Sequence, residues 1–242
     1  MSPVTRDAAA DFEPKILFEN EDFWAFDKPP GISCHDEKHD DGTIAPGFFG
    51  LLRAYFDTKV FPVHRLDKVT SGILLAAKHA ESAAKFGQLF EQRTINKYYL
   101  AISDKKPRKK QGAVIGDMVK ARRGAWKLTK GNTNPAVSHF FTAALGEGLR
   151  VFLVKPYTGK THQIRVALKS LGSPIYGDGL YAGSEADRTY LHAYAIEFKW
   201  KNDDLRLISE PGEGAFYRLE KLKTLLAETL SPWRLRWPTL KK

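Results

Sequence analysis

The chain has 242 residues, 43% hydrophobic and 12% aromatic, enough to bury a core in one large domain or one domain with two lobes and not a disordered composition. Its 38 Lys and Arg outnumber 28 Asp and Glu, giving a net charge of +10 and a pI near 9.5, which favours a polyanionic partner, nucleic acid before an anionic membrane surface. One cysteine, Cys34, excludes an intrachain disulfide and fits the reducing cytoplasm, and no signal peptide or membrane-length apolar run is present.

Residues 1–14 read as a mobile leader ending at Pro14, ahead of a domain spanning 15–242. Ile16-Leu17-Phe18 and Phe23-Trp24-Ala25-Phe26 read as strands around the acidic turn 19–22. Asp27-Lys28-Pro29-Pro30-Gly31 then stops the second, since proline cannot continue a ladder. His35 to Gly42 reads as a polar loop, and Phe48 to Phe56 has helix-like apolar spacing.

The stretch His64-Arg65-Leu66-Asp67-Lys68-Val69-Thr70-Ser71-Gly72 precedes the apolar run Ile73 to Ala77, which reads as a buried strand. Arg65 and Asp67 stand two apart and point to one side of an extended backbone. Alone, they make a structural ion pair. Ala83, Phe86 and Phe90 mark an amphipathic helix over about 79–93, and Tyr98 to Ile102 a strand.

From 105 to 130 ten basic residues (105, 106, 108, 109, 110, 120, 122, 123, 127 and 130) meet one acid, Asp117. Glycines punctuate this stretch as hairpin or loop, a basic insertion over about 104–135 with Trp126 as one stacking ring. The plainer reading is a solvated surface insertion. Val151 to Val154 reads as a strand, and Ile164, Leu168 and Leu171 as one face of a helix closed by Gly172, with Arg165 at its edge. Leu191 to Phe198 reads as a strand and Leu219, Leu222 and Leu226 as a C-terminal helix. The fold class is α+β, a mostly antiparallel sheet with helices outside.

Several chemistries fail on spacing. Gly159-Lys160-Thr161 ends like a phosphate-binding loop, but Val154 stands where that loop needs glycine. His35 and His39 lack the glutamate and the helix of a zinc protease site, so no metal is expected there. Asp67-Lys68-Val69-Thr70 has no acids nearby for the magnesium of an aspartyl-phosphate enzyme, and no Gly-x-Ser-x-Gly elbow exists.

Five stretches together resemble the RluA-type RNA pseudouridine synthases: Asp27 to Gly31, HRLDKVTSGILLAAK (64–78), Lys97 to Ala101, TGKTHQIRVALKSLGSPIYGDGLY (158–181) and Leu191-His192-Ala193. They run in that family's order over about 180 residues. The resemblance implies a pseudouridine-synthase-like mixed sheet in two lobes around a central cleft. It also implies isomerisation of uridine to pseudouridine in structured RNA, with no cofactor and no metal. On it, Asp67 matches the catalytic aspartate, Tyr99 the ring that stacks on uracil, Arg165 the arginine paired with the aspartate and Ile164 an apolar wall. Arg65 matches the side chain that fills the space left by the base.

These residue types suit the reaction. A free aspartate is ionised at neutral pH, and an adjacent guanidinium keeps it so. A stacked uracil must be flipped out, at a few kcal/mol, and an aromatic face recovers about 1–3 kcal/mol of that. Tyrosine, with a free pKa near 10, is a reluctant base. RNA contacts are expected from Arg65, His64, Ile164, Lys97, Lys105, Lys106, Arg108, Lys109, Lys110, Arg122 and Arg123. Two departures stand out. Ala167 occupies a place where many members carry histidine, and the residues before the first strand leave no room for the S4 RNA-binding domain of many members. Members without it act on tRNA stem-loops or a small ribosomal hairpin, so the expected partner is tRNA or rRNA, bound by a monomer. The alternative is a catalytically idle RNA-binding or ribosome-assembly protein on the same fold.

Overall fold

The computed structural model describes residues 12–238. In chain order its elements are β1 (Ile16–Glu19), β2 (Phe23–Lys28), β3 (Glu37–Lys38), β4 (Ile44–Ala45), α1 (Phe48–Phe56), β5 (Phe61–Pro62), β6 (Ser71–Ala77), α2 (Ala80–Glu91) and β7 (Asn96–Ser103). They continue with β8 (Gln111–Gly116), β9 (Met118–Lys120), β10 (Trp126–Leu128), β11 (Ala136–Gly146) and β12 (Leu149–Pro156). The last are α3 (Gln163–Ser170), β13 (Leu191–Trp200), β14 (Asp203–Ile208) and α4 (Glu220–Glu228).

One sheet runs through both halves of the molecule in the order β1-β2-β6-β13-β7-β12-β11-β8, with β14 beside β13 and β5 beside β6. Only β6 with β13 pairs parallel within it, the mostly antiparallel α+β arrangement the sequence implies. All seven residues of β6 are buried. Alternation sends Leu74 and Ala76 into a cluster with Phe48 and Leu52 of α1, and Ile73, Leu75 and Ala77 into one with Phe86 of α2 and Trp200. A strand covered on both faces reads as an unbroken apolar run. A third cluster fills the other half, between β7, β12, α3 and α4.

Gly72 is fixed by the parallel pairing. It stands opposite Ala193 with φ +102°, and a Cβ there would lie 2.3 Å from the Ala193 carbonyl oxygen. Only glycine meets both conditions.

Three observations differ from the expectations. Residues 136–146 form the long strand β11, for which no element was expected. The basic stretch is not one insertion: β8 is a strand of the main sheet, paired with β11, and only β9 and β10 form a separate small hairpin. Most of the expected leader lies outside the described residues, but at its end Phe12 packs edge-on against Phe48, 5.6 Å between ring centroids. No helix among the described residues is long and apolar enough to cross a membrane.

Candidate active site

A cleft of about 940 Å³ opens where the β5–β6 loop, the end of α2, β7, the end of β12 and the start of α3 converge. Among the described residues its lining holds six cations, Arg65, Arg93, Lys97, Lys155, Lys160 and Arg165, and one carboxylate, Asp67. Four of the five matched stretches contribute to this lining: His64 to Asp67 with Thr70, Lys97 with Tyr99, Thr158 to Arg165, and Leu191.

Asp67 sits in a turn immediately before β6, closed by the Thr70 N–H donating to the Asp67 carbonyl at 2.9 Å. The neighbouring segment clamps this turn. Gly31 N–H donates to the Lys68 carbonyl at 2.8 Å, and Lys68 Nζ reaches Glu37 at 2.6 Å. The Cys34 thiol both accepts the Leu66 N–H at 3.2 Å and donates to the Leu66 carbonyl at 3.3 Å. Glu37 and Asp36, from the sequence between His35 and His39, are thus structural here: Asp36 accepts the Gly47 N–H at 2.8 Å.

Beneath the turn lies Lys28, fully buried, its ammonium donating to the Pro29 and Ile32 carbonyls at 2.7 and 2.8 Å. Burial pushes it down to about 8 from 10.5, against the pull of the Cys34 thiol and the Asp67 carboxylate. Below pH 8 the amine is charged in both folded and unfolded chains. Between pH 8 and 10.5 the unfolded chain holds the extra proton, so stability gains with rising pH. The stability difference between wild type and Lys28→Met should therefore shift in favour of wild type by about 2–3 kcal/mol from pH 8 to pH 10. Denaturant unfolding at the two pH values measures it, and parallel curves would remove Lys28 as the source.

Arg165 stands in the first turn of α3 and is 5% exposed. The helix start is pinned by Gln163, whose amide nitrogen donates to the Val137 carbonyl and Ser138 Oγ while its oxygen accepts from Thr158 Oγ1 and the Lys160 N–H. The guanidinium makes two 2.8 Å hydrogen bonds to Asp178, from Nε to Oδ2 and from Nη2 to Oδ1. Its remaining nitrogen, Nη1, lies 3.6 Å from Asp67 Oδ2. The expected pairing with Asp67 is present, but the stronger, bidentate partner is Asp178. Burial works against the guanidinium's charge, and the two carboxylates reverse that effect. A planar donor held on one edge presents the other edge to the cleft.

Tyr99 projects from the middle of the sheet, its strand flanked by Val154 of β12 and Ala193 of β13. It lines the cleft, and burial together with the Asp67 charge raises its hydroxyl well above the ordinary value, so the phenol stays protonated. Ile164, buried beside Arg165, supplies an apolar wall. Arg65 is exposed at the mouth and, among the described residues, makes no ion pair.

The expected RNA contacts divide. Lys97 lines the cleft, with burial lowering its ammonium pKa. His64 also lines it, but its Nε2 accepts the Leu75 N–H at 2.9 Å, and burial then the Lys97 charge keep the ring neutral. That hydrogen bond makes it a brace for β6 and leaves Nδ1 as the N–H donor of the neutral ring. Lys105, Lys106, Arg108, Lys109 and Lys110 sit at the far end of α3, where Arg108 N–H donates to the Leu171 carbonyl. An eight-residue helix spans about 12 Å, so these five do not border the cleft. Arg122 and Arg123 are exposed on the β9–β10 hairpin, beside the start of α3. Sequence reasoning missed Asp178, Lys28, Arg93, Lys155 and Lys160. Of these Asp178 carried a usable signal, a lone acid in a glycine-rich loop next to the helix bearing a buried arginine.

The model of the RNA pseudouridylate synthase family matches residues 22–170. The chain belongs to that family. It is 48% identical over 208 residues to an uncharacterised RNA pseudouridine synthase of Haemophilus influenzae, covering 85% of this chain and 91% of that one. It is 33% identical to ribosomal large subunit pseudouridine synthase C of Rickettsia bellii, over 75% of this chain and 62% of that relative. Such relatives place it in the RluA-type branch, and its activity is that of an isomerase, an RNA pseudouridine synthase. The fold is that of human RNA pseudouridylate synthase domain containing 4, with a TM-score of 0.67 at 22% identity, covering 90% of this chain and 95% of that one.

Proposed function

We propose that the synthase acts on a uridine of a tRNA or rRNA stem-loop, with Asp67 as the catalytic carboxylate. The cleft's lining carries this reading: one carboxylate among six cations is what a polyanionic substrate and a single nucleophile or base require. Tyr99 offers the stacking face, Ile164 the apolar wall, and Arg165, held by Asp178, orients Asp67. Arg65 is free to occupy the gap in the RNA. The buried Cys34, which forms no disulfide, suits the cytoplasm. The name of the Rickettsia relative brings large-subunit ribosomal RNA forward as a target beside tRNA.

RNA carrying tritium at uracil C5 should release it to water when incubated with the protein, and mapping pseudouridines across total RNA with and without the protein gives the position. RNA binding without release would return the idle RNA-binding reading.

The hairpin and the segment at 105–110 predict different salt behaviour. Replacing Arg122 and Arg123 by glutamine should flatten the dependence of log affinity on log salt by about 1–2. Replacing Lys105, Lys106, Arg108, Lys109 and Lys110 together should flatten it less than that pair does, because they lie behind α3. Titrations at three salt concentrations decide, and the reverse order would put the RNA on the other face.

A further inference from the structure

Tyr181 is 5% exposed, in a short 3-10 turn, Gly179–Tyr181, between the hairpin and α3. Three groups meet on it. The Arg165 guanidinium lies over its ring, 4.9 Å from carbon to centroid. Its hydroxyl oxygen accepts the backbone N–H of Trp126, at the start of β10, at 2.9 Å. The same oxygen is 2.9 Å from His162 Nδ1.

The phenol oxygen that accepts the Trp126 N–H can still donate its own hydrogen to Nδ1 or accept from it. A neutral His162 ring with its proton on Nε2 takes the tyrosine's hydrogen at Nδ1. Burial, the largest influence on this ring, favours the neutral form that this requires. His162 lines the cleft and is held at φ +57°, ψ +18°, a left-handed conformation that costs a non-glycine residue on the order of 1 kcal/mol. The fold maintains that strain immediately ahead of Arg165.

We propose that Tyr181 is a positioning residue through which occupancy of the basic hairpin sets the placement of His162 and Arg165 beside Asp67. This rests on the reading that the hairpin receives RNA. Phosphates drawn to Arg122 and Arg123 load the strand whose first amide is tied to Tyr181. From that oxygen the constraint passes to the imidazole by a hydrogen bond and to the guanidinium through the ring face. Asp178 fixes one edge of Arg165, and Tyr181 fixes the plane.

Tyr181→Phe keeps the ring under Arg165 and removes both hydroxyl contacts. Single-turnover tritium release from saturating RNA should fall about tenfold, the effect of one or two hydrogen bonds lost in the reacting complex. RNA affinity should stay within about twofold, since no phosphate contact is lost. Coupling separates positioning from simple packing. In the wild-type background, Arg122→Gln with Arg123→Gln should lower both affinity and the single-turnover rate. In the Tyr181→Phe background the same pair should lower affinity alone. An equal rate effect in both backgrounds, or wild-type turnover by Tyr181→Phe, overturns the proposal. Hydrogen exchange at the Trp126 amide needs no activity: RNA should slow it in the wild type and not in Tyr181→Phe. Equal slowing in both proteins also overturns the proposal. Absence of tritium release from the wild type would instead fail the proposed reaction and leave the exchange result to decide on Tyr181.

Discussion

Asp67→Asn should bind RNA and release no tritium above background, a loss of at least about 10³-fold, since an amide of the same shape can neither attack nor take a proton. Binding should hold or tighten, because the one carboxylate among the described lining residues, set against six cations, has been removed. The fold should be nearly indifferent. Arg165 keeps both hydrogen bonds to Asp178, and the contact that is lost is the longer one, at 3.6 Å. Tritium release, filter binding and a thermal melt on one preparation test all three statements. Release at the wild-type rate would end the assignment of Asp67.

Asp178→Asn should do the opposite to stability. Asp178 is 1% exposed, and its carboxylate is the bidentate partner of an arginine that is itself 5% exposed. Breaking a buried pair from one side leaves an uncompensated charge and costs about 3–5 kcal/mol, which lowers the melting temperature of a domain this size by about 10 °C. Activity should fall as well, because the guanidinium loses the edge that fixes it. The ranking is the sharp part of the prediction: Asp67→Asn silences a stable protein, whereas Asp178→Asn weakens the fold. If Asp67 were the principal partner of Arg165, the two melting shifts would change places.

Asp67, Tyr99 and Arg165 were picked out by the resemblance of their motifs to the RluA-type synthases; read alone, Asp67 pairs with Arg65. Helix α1 was legible from its own period, its apolar spacing matching Phe48–Phe56 to the residue. Asp178 was not legible. It lies 13 positions beyond its partner in an irregular loop, and only the return of that loop onto α3 brings the two together. Lys28 was read as part of a strand stop, since nothing local announces that an ammonium will be capped by two carbonyls and buried. Strand β11 was missed because Ala136 to Phe140 is buried throughout while Phe141 to Ala144 is not, so neither a period of two nor a continuous run persists. The basic stretch was read by its charge, which hides the backbone ladder that joins β8 to β11.

The sheet passes unbroken beneath the cleft, through β6, β13, β7 and β12, from one half of the molecule to the other. A floor made of ladder hydrogen bonds resists shear and fixes the base of the site, whereas His162 and Arg165 on its wall are placed through Tyr181. Part of the distortion needed to fill the site then falls on the nucleic acid. A uridine already loosened in a loop or bulge meets that demand at less expense than one stacked inside a duplex.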